Sequence, residues 1–261
     1  MEKKRCTAIV LAAGRGSRMQ SDVAKQYMNL HGKPLIWYTL NTIEKSAVID
    51  DCILVVGAED ILYTKEEIVN HYGFRKADTV VAGGQERYDS VYRALRAFAE
   101  KDQDAVGESF PGRSGLDGYV FIQDGARPFL TEEILKRCYK AVEEYHACAA
   151  GMPVKDTIKL ADENAFALQT PNRKNIWQVQ TPQVFDAPLI LSAYEKLMRE
   201  KEKLIREGIT ITDDAMVVEN LTGHGVKLVE GSYQNIKITT PEDMVVAEAF
   251  LRQGYGAGYA D

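Results

Sequence analysis

The stretch TAIVLAAGRGSRM, Thr7 to Met19, decides the fold: an apolar run of strand length breaks into a glycine-rich turn carrying arginines, with Lys25 close behind. Such a turn at a strand end is where an α/β enzyme holds a nucleoside triphosphate. Gly14 and Gly16 let backbone N–H groups approach phosphate, and Arg18 and Lys25 are placed to offset the charge that builds as pyrophosphate leaves. The plainer alternative is a tight turn whose arginine and lysine are merely solvated. Two commoner glycine motifs do not fit. A Walker A loop needs a longer glycine frame ending in Lys-Ser or Lys-Thr, and a dinucleotide fingerprint needs a glycine where Met19 stands.

Strand-like runs occur at Thr7–Leu11, Cys52–Val56, Thr79–Ala82 and Tyr119–Gln123, with helical patterning between them. That alternation predicts an α/β fold, a mostly parallel sheet flanked by helices. Pro34 is placed to open a helix carrying Leu35, Ile36 and Leu40, and Glu86–Phe98 sets Val91, Leu95 and Phe98 on roughly one face. Tyr139, Val142 and Tyr145 mark the packed face of a helix after Thr131, Asp186–Arg206 reads as another helix, and Pro241 opens the last. Lys101–Gly118, with Pro111, Gly112, Gly115 and Gly118, reads as an exposed loop or insertion.

From Pro153 the pattern changes. The pieces KDTIKLAD and AFALQTPNRKNIWQVQTPQVF, separated by the polar turn ADEN, predict an extended β-arm over 152–180 within a single domain of 1–261. Ile158, Phe166, Leu168, Ile176, Trp177 and Val179 are more apolar surface than a bare two-stranded arm can hide, so a second subunit is expected to cover it. After the helix that follows, the chain returns through VKLVEG and NIKITTPEDM.

Acidic residues outnumber basic ones 38 to 32, for a net charge of -6, and no basic stripe offsets that balance; nucleic-acid binding is not expected. Cys6, Cys52, Cys138 and Cys148 are widely spaced beside apolar segments and read as buried free thiols. His31, His71, His146 and His224 are scattered, which leaves magnesium rather than zinc as the metal to expect. The apolar stretch after MEKKRC is too short for a signal peptide and no run approaches membrane-spanning length. The expectation is a cytoplasmic enzyme acting on small molecules, without a membrane partner.

Asp124 ends the apolar run YVFIQ and is followed by GARP, which places a carboxylate and Arg127 at the carboxyl end of a central strand, on the same sheet edge as the turn after Leu11. Asp124 suits a magnesium ion bridging the triphosphate, with Arg127 holding the loop or a phosphate. A strand-end turn with a surface ion pair is the alternative. The segment GGQERYDSV supplies Gly83, Gly84, Arg87 and Ser90 for a base pocket, or equally for a helix N-terminal turn. Further along, Lys155, Thr157, Arg173, Thr181, Thr212, Asp213 and Lys237 suit an acceptor phosphate and hydroxyls. Among them Lys237 stands out, on an expected strand returning towards the site.

Taken in order, LAAGRGSRM with Lys25, GGQERYDSV, IQDGARP, VKDT, TPQVF, ITDDA and NIKITTPED resemble the 2-C-methyl-D-erythritol 4-phosphate cytidylyltransferase family, from about Thr7 to Phe250. The resemblance implies a Rossmann-like fold of the nucleotide-diphospho-sugar transferase type, a magnesium-dependent homodimer whose arms meet at the twofold axis, and CTP as a substrate. It places Ala12, Ala13, Gly14, Arg15 and Gly16, together with Gly83, Gly84, Gln85, Arg87 and Ser90, around CTP. It assigns Arg18, Lys25 and Lys237 to catalysis and Asp124 to the metal. Arg127, Thr157, Arg173, Thr181, Thr212 and Lys237 then surround methylerythritol phosphate, with Thr157 and Arg173 serving the neighbouring subunit's site. Gln85 stands where some relatives use aspartate, and Gly125 where alanine is frequent.

The mechanism so implied is in-line attack of the acceptor phosphate on the α-phosphorus of CTP, with no enzyme nucleophile. Ribitol 5-phosphate cytidylyltransferase is the nearest alternative, and a non-catalytic nucleotide-binding protein is the alternative of a different class.

Overall fold

The structure, a computed structural model, describes residues 3–14, 19, 23–106 and 117–255, with only the backbone of 102–106. The chain runs through β1 (Arg5–Ala12), the short hairpin β2 (Asn29–Leu30) and β3 (Lys33–Pro34), α1 (Leu35–Lys45), β4 (Asp51–Val56), and α2 (Ile61–Tyr63), which continues as a wider-wound turn over Thr64–Asn70. Next come β5 (Thr79–Ala82), α3 (Arg87–Val106), β6 (Gly118–Asp124), α4 (Glu132–Tyr145) and β7 (Ala147–Pro153). The short pair β8 (Leu160–Ala161) and β9 (Ala167–Gln169) leads to β10 (Trp177–Asp186), α5 (Ala187–Arg206), α6 (Asp214–Thr222), β11 (Lys227–Glu230) and α7 (Pro241–Arg252).

Among the described residues, seven strands form one sheet in the order β11-β7-β10-β6-β1-β4-β5. Only β10 runs antiparallel to its neighbours β6 and β7. The near-continuous apolar runs of β1, β4 and β6 follow from burial on both faces. Ala8, Val10, Leu54 and Phe121 pack on one side with α1 and α4, and Ile9, Ile53, Val120 and Ile122 on the other with α3, α5 and α6. The register sets Leu11 opposite Asp124, Ala12 opposite Val56 and Val56 opposite Ala82. The carboxyl ends of four parallel strands therefore share one edge, and the turns leaving them share one crevice. Among the described residues, no helix is long and apolar enough to cross a membrane.

Several expectations need correction. Residues 101–106 of the expected loop are the last turns of α3, because helix-forming residues run on without a glycine until 107, and Gly118 opens β6; 107–116 lie outside the described residues. Tyr145 is exposed at the end of α4, where its ring meets the Lys227 ammonium at 5.0 Å instead of the core. The second piece of the arm does not stay a strand: Pro171 and the helical turn Arg173–Asn175 interrupt it, and from Trp177 it belongs to the main sheet. The ADEN turn does form, with the Asp162 carboxylate accepting from the N–H groups of Asn164 and Phe166.

Candidate active site

The crevice is built from two glycine turns that touch. Gly83 donates its N–H to the Val56 carbonyl, and a Cβ on Gly83 would lie 2.3 Å from Ala13 Cβ, so only glycine lets the turn after β5 close against the turn after β1. Ser90 Oγ accepts from the Gly84 N–H at 3.0 Å and donates to the Glu86 carbonyl at 3.2 Å, and Arg93 donates to the Gly83 carbonyl at 2.8 Å. Ala12, Ala13, Gly14, Lys25, Gly84, Gln85, Arg87, Ser90, Asp124 and Lys237 line one cleft of about 220 Å³. Gly83 lines the hollow beside it. Arg15, Gly16 and Arg18 lie outside the described residues.

At the floor, one oxygen of the buried Asp124 carboxylate accepts from Arg127 Nε and from Lys237 Nζ, each at 3.1 Å. Burial alone would raise the Asp124 pKa, but Lys237, Arg127 and Arg87 outweigh it and bring it down to about 2. Arg127 shows the opposite balance, since burial lowers its pKa more than Asp124 restores it. The loop carrying both is fixed from several sides. Thr39 Oγ1 donates to the Arg127 carbonyl at 3.0 Å, the Gly125 N–H to the Leu11 carbonyl at 2.9 Å, and the Asp124 N–H to Thr181 Oγ1 at 3.0 Å. Thr181, buried, is thus the brace beneath the carboxylate.

Lys237 does not lie on a strand. The segment NIKI is held irregularly, through the Ile238 N–H on the Ala126 carbonyl, Arg127 on the Asn235 carbonyl, and the buried Asn235 amide on the Thr181 carbonyl. Lys25 Nζ donates to the Ile238 carbonyl at 3.3 Å, so both lysines flank the same turn. Arg87 pairs through two bonds with Asp214, at 2.8 and 2.5 Å, and that pairing outweighs the effect of burial to raise its pKa.

Other expected residues stand apart from the cleft. Thr157 and Thr212 are exposed, Thr212 Oγ1 lies 3.5 Å from Met216 Sδ, and exposed Arg173 donates to the Lys155 carbonyl at 2.9 Å. A second hollow of about 460 Å³ adjoins the first at Lys237, lined also by Arg127, Gln178, Gln180 and Tyr233. Lys155 reaches its rim, 3.6 Å above the Tyr233 ring. The sequence reading missed Thr39, Asn235, Asp214, Gln180 and Tyr233. Of these, Asp214 carried a signal as the second carboxylate of ITDDA, and Asn235 as the first residue of NIKITTPED.

Among the described residues no three His, Cys, Asp or Glu side chains gather as a metal site. Among them, two carboxylates line the cleft, Asp124 at its floor and Glu86 beside the second glycine turn, and Asp124 matches magnesium, which takes one or two protein carboxylates and completes its shell with phosphates and water.

A glycine-walled sheet edge with two lysines and a braced aspartate, at the carboxyl ends of parallel strands, is the arrangement of a nucleotidyltransferase. The model of the 2-C-methyl-D-erythritol 4-phosphate cytidylyltransferase family matches residues 6–253, and the chain belongs to that family. The enzyme of that name from Lachnospira eligens is 46% identical over 246 residues, covering 94% of this chain and 99% of the relative. The one from Lachnoclostridium phytofermentans is 44% identical over 253 residues, covering 97% and 98%. The crystal structure of 4-diphosphocytidyl-2C-methyl-D-erythritol synthase from Anaerococcus prevotii superposes with a TM-score of 0.75 at 32% identity, over 96% of this chain and 97% of that one. The chain is a cytidylyltransferase.

Proposed function

We propose that the cleft carries out the family's reaction, transfer of CMP from CTP to 2-C-methyl-D-erythritol 4-phosphate, by direct in-line displacement. A phosphate oxygen of the acceptor attacks the α-phosphorus of CTP, the bond from that phosphorus to the bridging oxygen breaks, and pyrophosphate leaves with the electron pair. The observation that carries this reading is the junction at Lys237, where the glycine-walled cleft meets a second hollow lined by Arg127. One hollow suits the nucleotide and the other the acceptor, with Lys237 and Lys25 beside the point of transfer.

In this reading residues 12–16 and the turn at Gly83–Ser90 hold the nucleotide, Arg18 and Lys25 offset charge on the leaving pyrophosphate, and Arg127 and Lys237 orient the acceptor phosphate. Asp124 is the residue that would hold magnesium, and when bound that ion screens the triphosphate charge. Thr181 acts through Asp124. Thr157 and Arg173 sit on the largely exposed stretch between β7 and β10 and, with Thr212, reach an acceptor only in the assembled enzyme; in this reading that stretch is what remains of the arm at 152–180, part of a single domain spanning 1–261, and it passes to the partner of a homodimer. The enzyme works in the cytoplasm.

The test is pyrophosphate release from CTP and magnesium with methylerythritol phosphate or ribitol 5-phosphate supplied separately, the product weighed by mass spectrometry. Preferential turnover of methylerythritol phosphate is expected. Preference for ribitol 5-phosphate would contradict the acceptor assignment, and no turnover with either would contradict the reading as a whole.

A further inference from the structure

Arg87, the first residue of α3, lines the nucleotide cleft, and its anchor comes from α6, a helix on the same side of the sheet. Asp214, at the start of α6, is fully buried and accepts one bond from each terminal nitrogen of Arg87, at 2.8 and 2.5 Å. The same carboxylate accepts the hydroxyl of Tyr194 at 2.5 Å, from the fully buried side chain of α5. Its backbone is fixed as well. Asp213 caps α6 by accepting from the Met216 N–H at 2.9 Å, while the Gln183 amide of β10 donates to Asp213 at 2.9 Å and accepts from the Ala215 N–H at 2.8 Å.

A guanidinium has five N–H donors. The fork on Asp214 uses two, and the Arg87 side chain keeps 29% of its surface open while Asp214 keeps 0%. A buried ion pair is by itself a weak source of stability, and a hydrophobic pair would fill the same space at less desolvation cost. What the arrangement does supply is a long side chain already fixed in place before a ligand arrives.

We propose that Asp214 and Tyr194 are positioning residues for the nucleotide: they hold the Arg87 guanidinium against the cleft so that CTP meets an ordered cation. The inference rests on the reading of Arg87 as a residue that faces CTP. Asp214 sets the plane of the fork, and Tyr194 fixes the carboxylate by occupying the oxygen that Arg87 Nη1 also uses. Burial and the neighbouring Asp214 hold the Tyr194 phenol well above its usual pKa, so it remains a donor at any working pH.

The experiment is a double-mutant cycle on the full-length enzyme with CTP, magnesium and methylerythritol phosphate, reading the CTP Kd by calorimetry and both KM values. Arg87→Gln is expected to weaken CTP by about tenfold or more, and Asp214→Asn by a similar factor, with the KM of the acceptor unmoved. The double variant is expected to be no weaker than Arg87→Gln alone, because Asp214 acts through Arg87. Tyr194→Phe, which keeps the ion pair and the packing, is expected to weaken CTP by about twofold to fivefold and gives a readout even if Asp214→Asn does not fold. Full additivity in the cycle, equal losses for both substrates, or an unchanged CTP Kd in Tyr194→Phe would overturn the positioning role. An unchanged Kd in Arg87→Gln would instead overturn the reading of Arg87 on which it stands.

Discussion

Lys237 Nζ lies 3.1 Å from Asp124 Oδ2, which ties an irregular turn late in the chain to the end of the central strand. The ammonium is therefore placed by a buried anion before any acceptor arrives. Lys237→Ala is expected to lower kcat/KM for the acceptor by about a hundredfold or more, as loss of a preorganised charge does. Thermal stability should shift little, because the Lys237 side chain is 37% exposed and Asp124 keeps Arg127 as partner. Steady-state kinetics beside a melting curve separates the two; an unchanged kcat/KM would remove Lys237 from the reaction.

Gly83 closes against Ala13, and a Cβ there would stand 2.3 Å from the Ala13 methyl. Gly83→Ala must push the two turns apart, with an overpacking cost of about 1–3 kcal/mol. The KM for CTP should rise by about tenfold while the KM for the acceptor holds. Equal KM values in variant and wild type would mean that the contact does not shape the nucleotide cleft.

These contacts mark where the sequence was legible and where it was not. The strands at Thr7–Leu11, Cys52–Val56, Thr79–Ala82 and Tyr119–Gln123 could be read because strands buried on both faces need unbroken apolar runs. Strand β7, with the sequence ACAAGMP, could not be read, since its small residues carry little strand preference and pairing with β10 and β11 holds it. Residues on the shared sheet edge were found because a charge after an apolar run is visible in one dimension. Thr39 and Tyr194 act through partners far away in the chain, and nothing in their local sequence marks them; Asn235 opens the NIKITTPED motif, but its bond to Thr181 could not be read there. The turn around Lys237 looked like a strand because NIKI alternates, but its backbone bonds go to Ser232, Gln234, Ala126 and side chains rather than to a ladder.

Asp243 offers a pH test away from the cleft. Its Oδ2 accepts from the Thr239 N–H, the Thr239 hydroxyl and the Thr240 N–H, at 2.7, 2.8 and 2.9 Å, and completes the capping box of α7. Burial would raise its pKa, but these bonds together lower it. A carboxyl lowered on folding contributes stability above its ordinary pKa near 3.8 and loses that contribution as pH falls through the folded value. Asp243→Ala should cost about 1 kcal/mol at pH 6. The gap to wild type in urea unfolding should narrow below about pH 4. A gap constant down to pH 3 would show that the charge on Asp243 is not what holds the cap.

Phe166 and Leu168 are 72% and 70% exposed, just before and within the second strand of the β8–β9 hairpin. If a second subunit covers them, Phe166→Ser with Leu168→Ser removes about 3 kcal/mol or more of burial and should weaken the dimer by at least about a hundredfold. Light scattering at micromolar concentration should give a dimer for wild type and a monomer for the variant, with activity falling in parallel. A wild-type monomer at working concentration would contradict the arm's role.

In the proposed mechanism the cleft lined by Lys25, Asp124 and Lys237 performs the transfer step itself. The most direct measurement is the single-turnover rate of Lys25→Ala, by rapid quench with enzyme in excess over CTP and saturating methylerythritol phosphate, alongside the CTP Kd and a melting curve. Lys25 Nζ lies 3.3 Å from the Ile238 carbonyl, next to Lys237, where the proposed mechanism offsets the charge on leaving pyrophosphate. The expected result is a chemical step slowed by about a hundredfold or more in a folded enzyme that still binds CTP. A wild-type single-turnover rate, with folding and CTP affinity intact, would contradict the account.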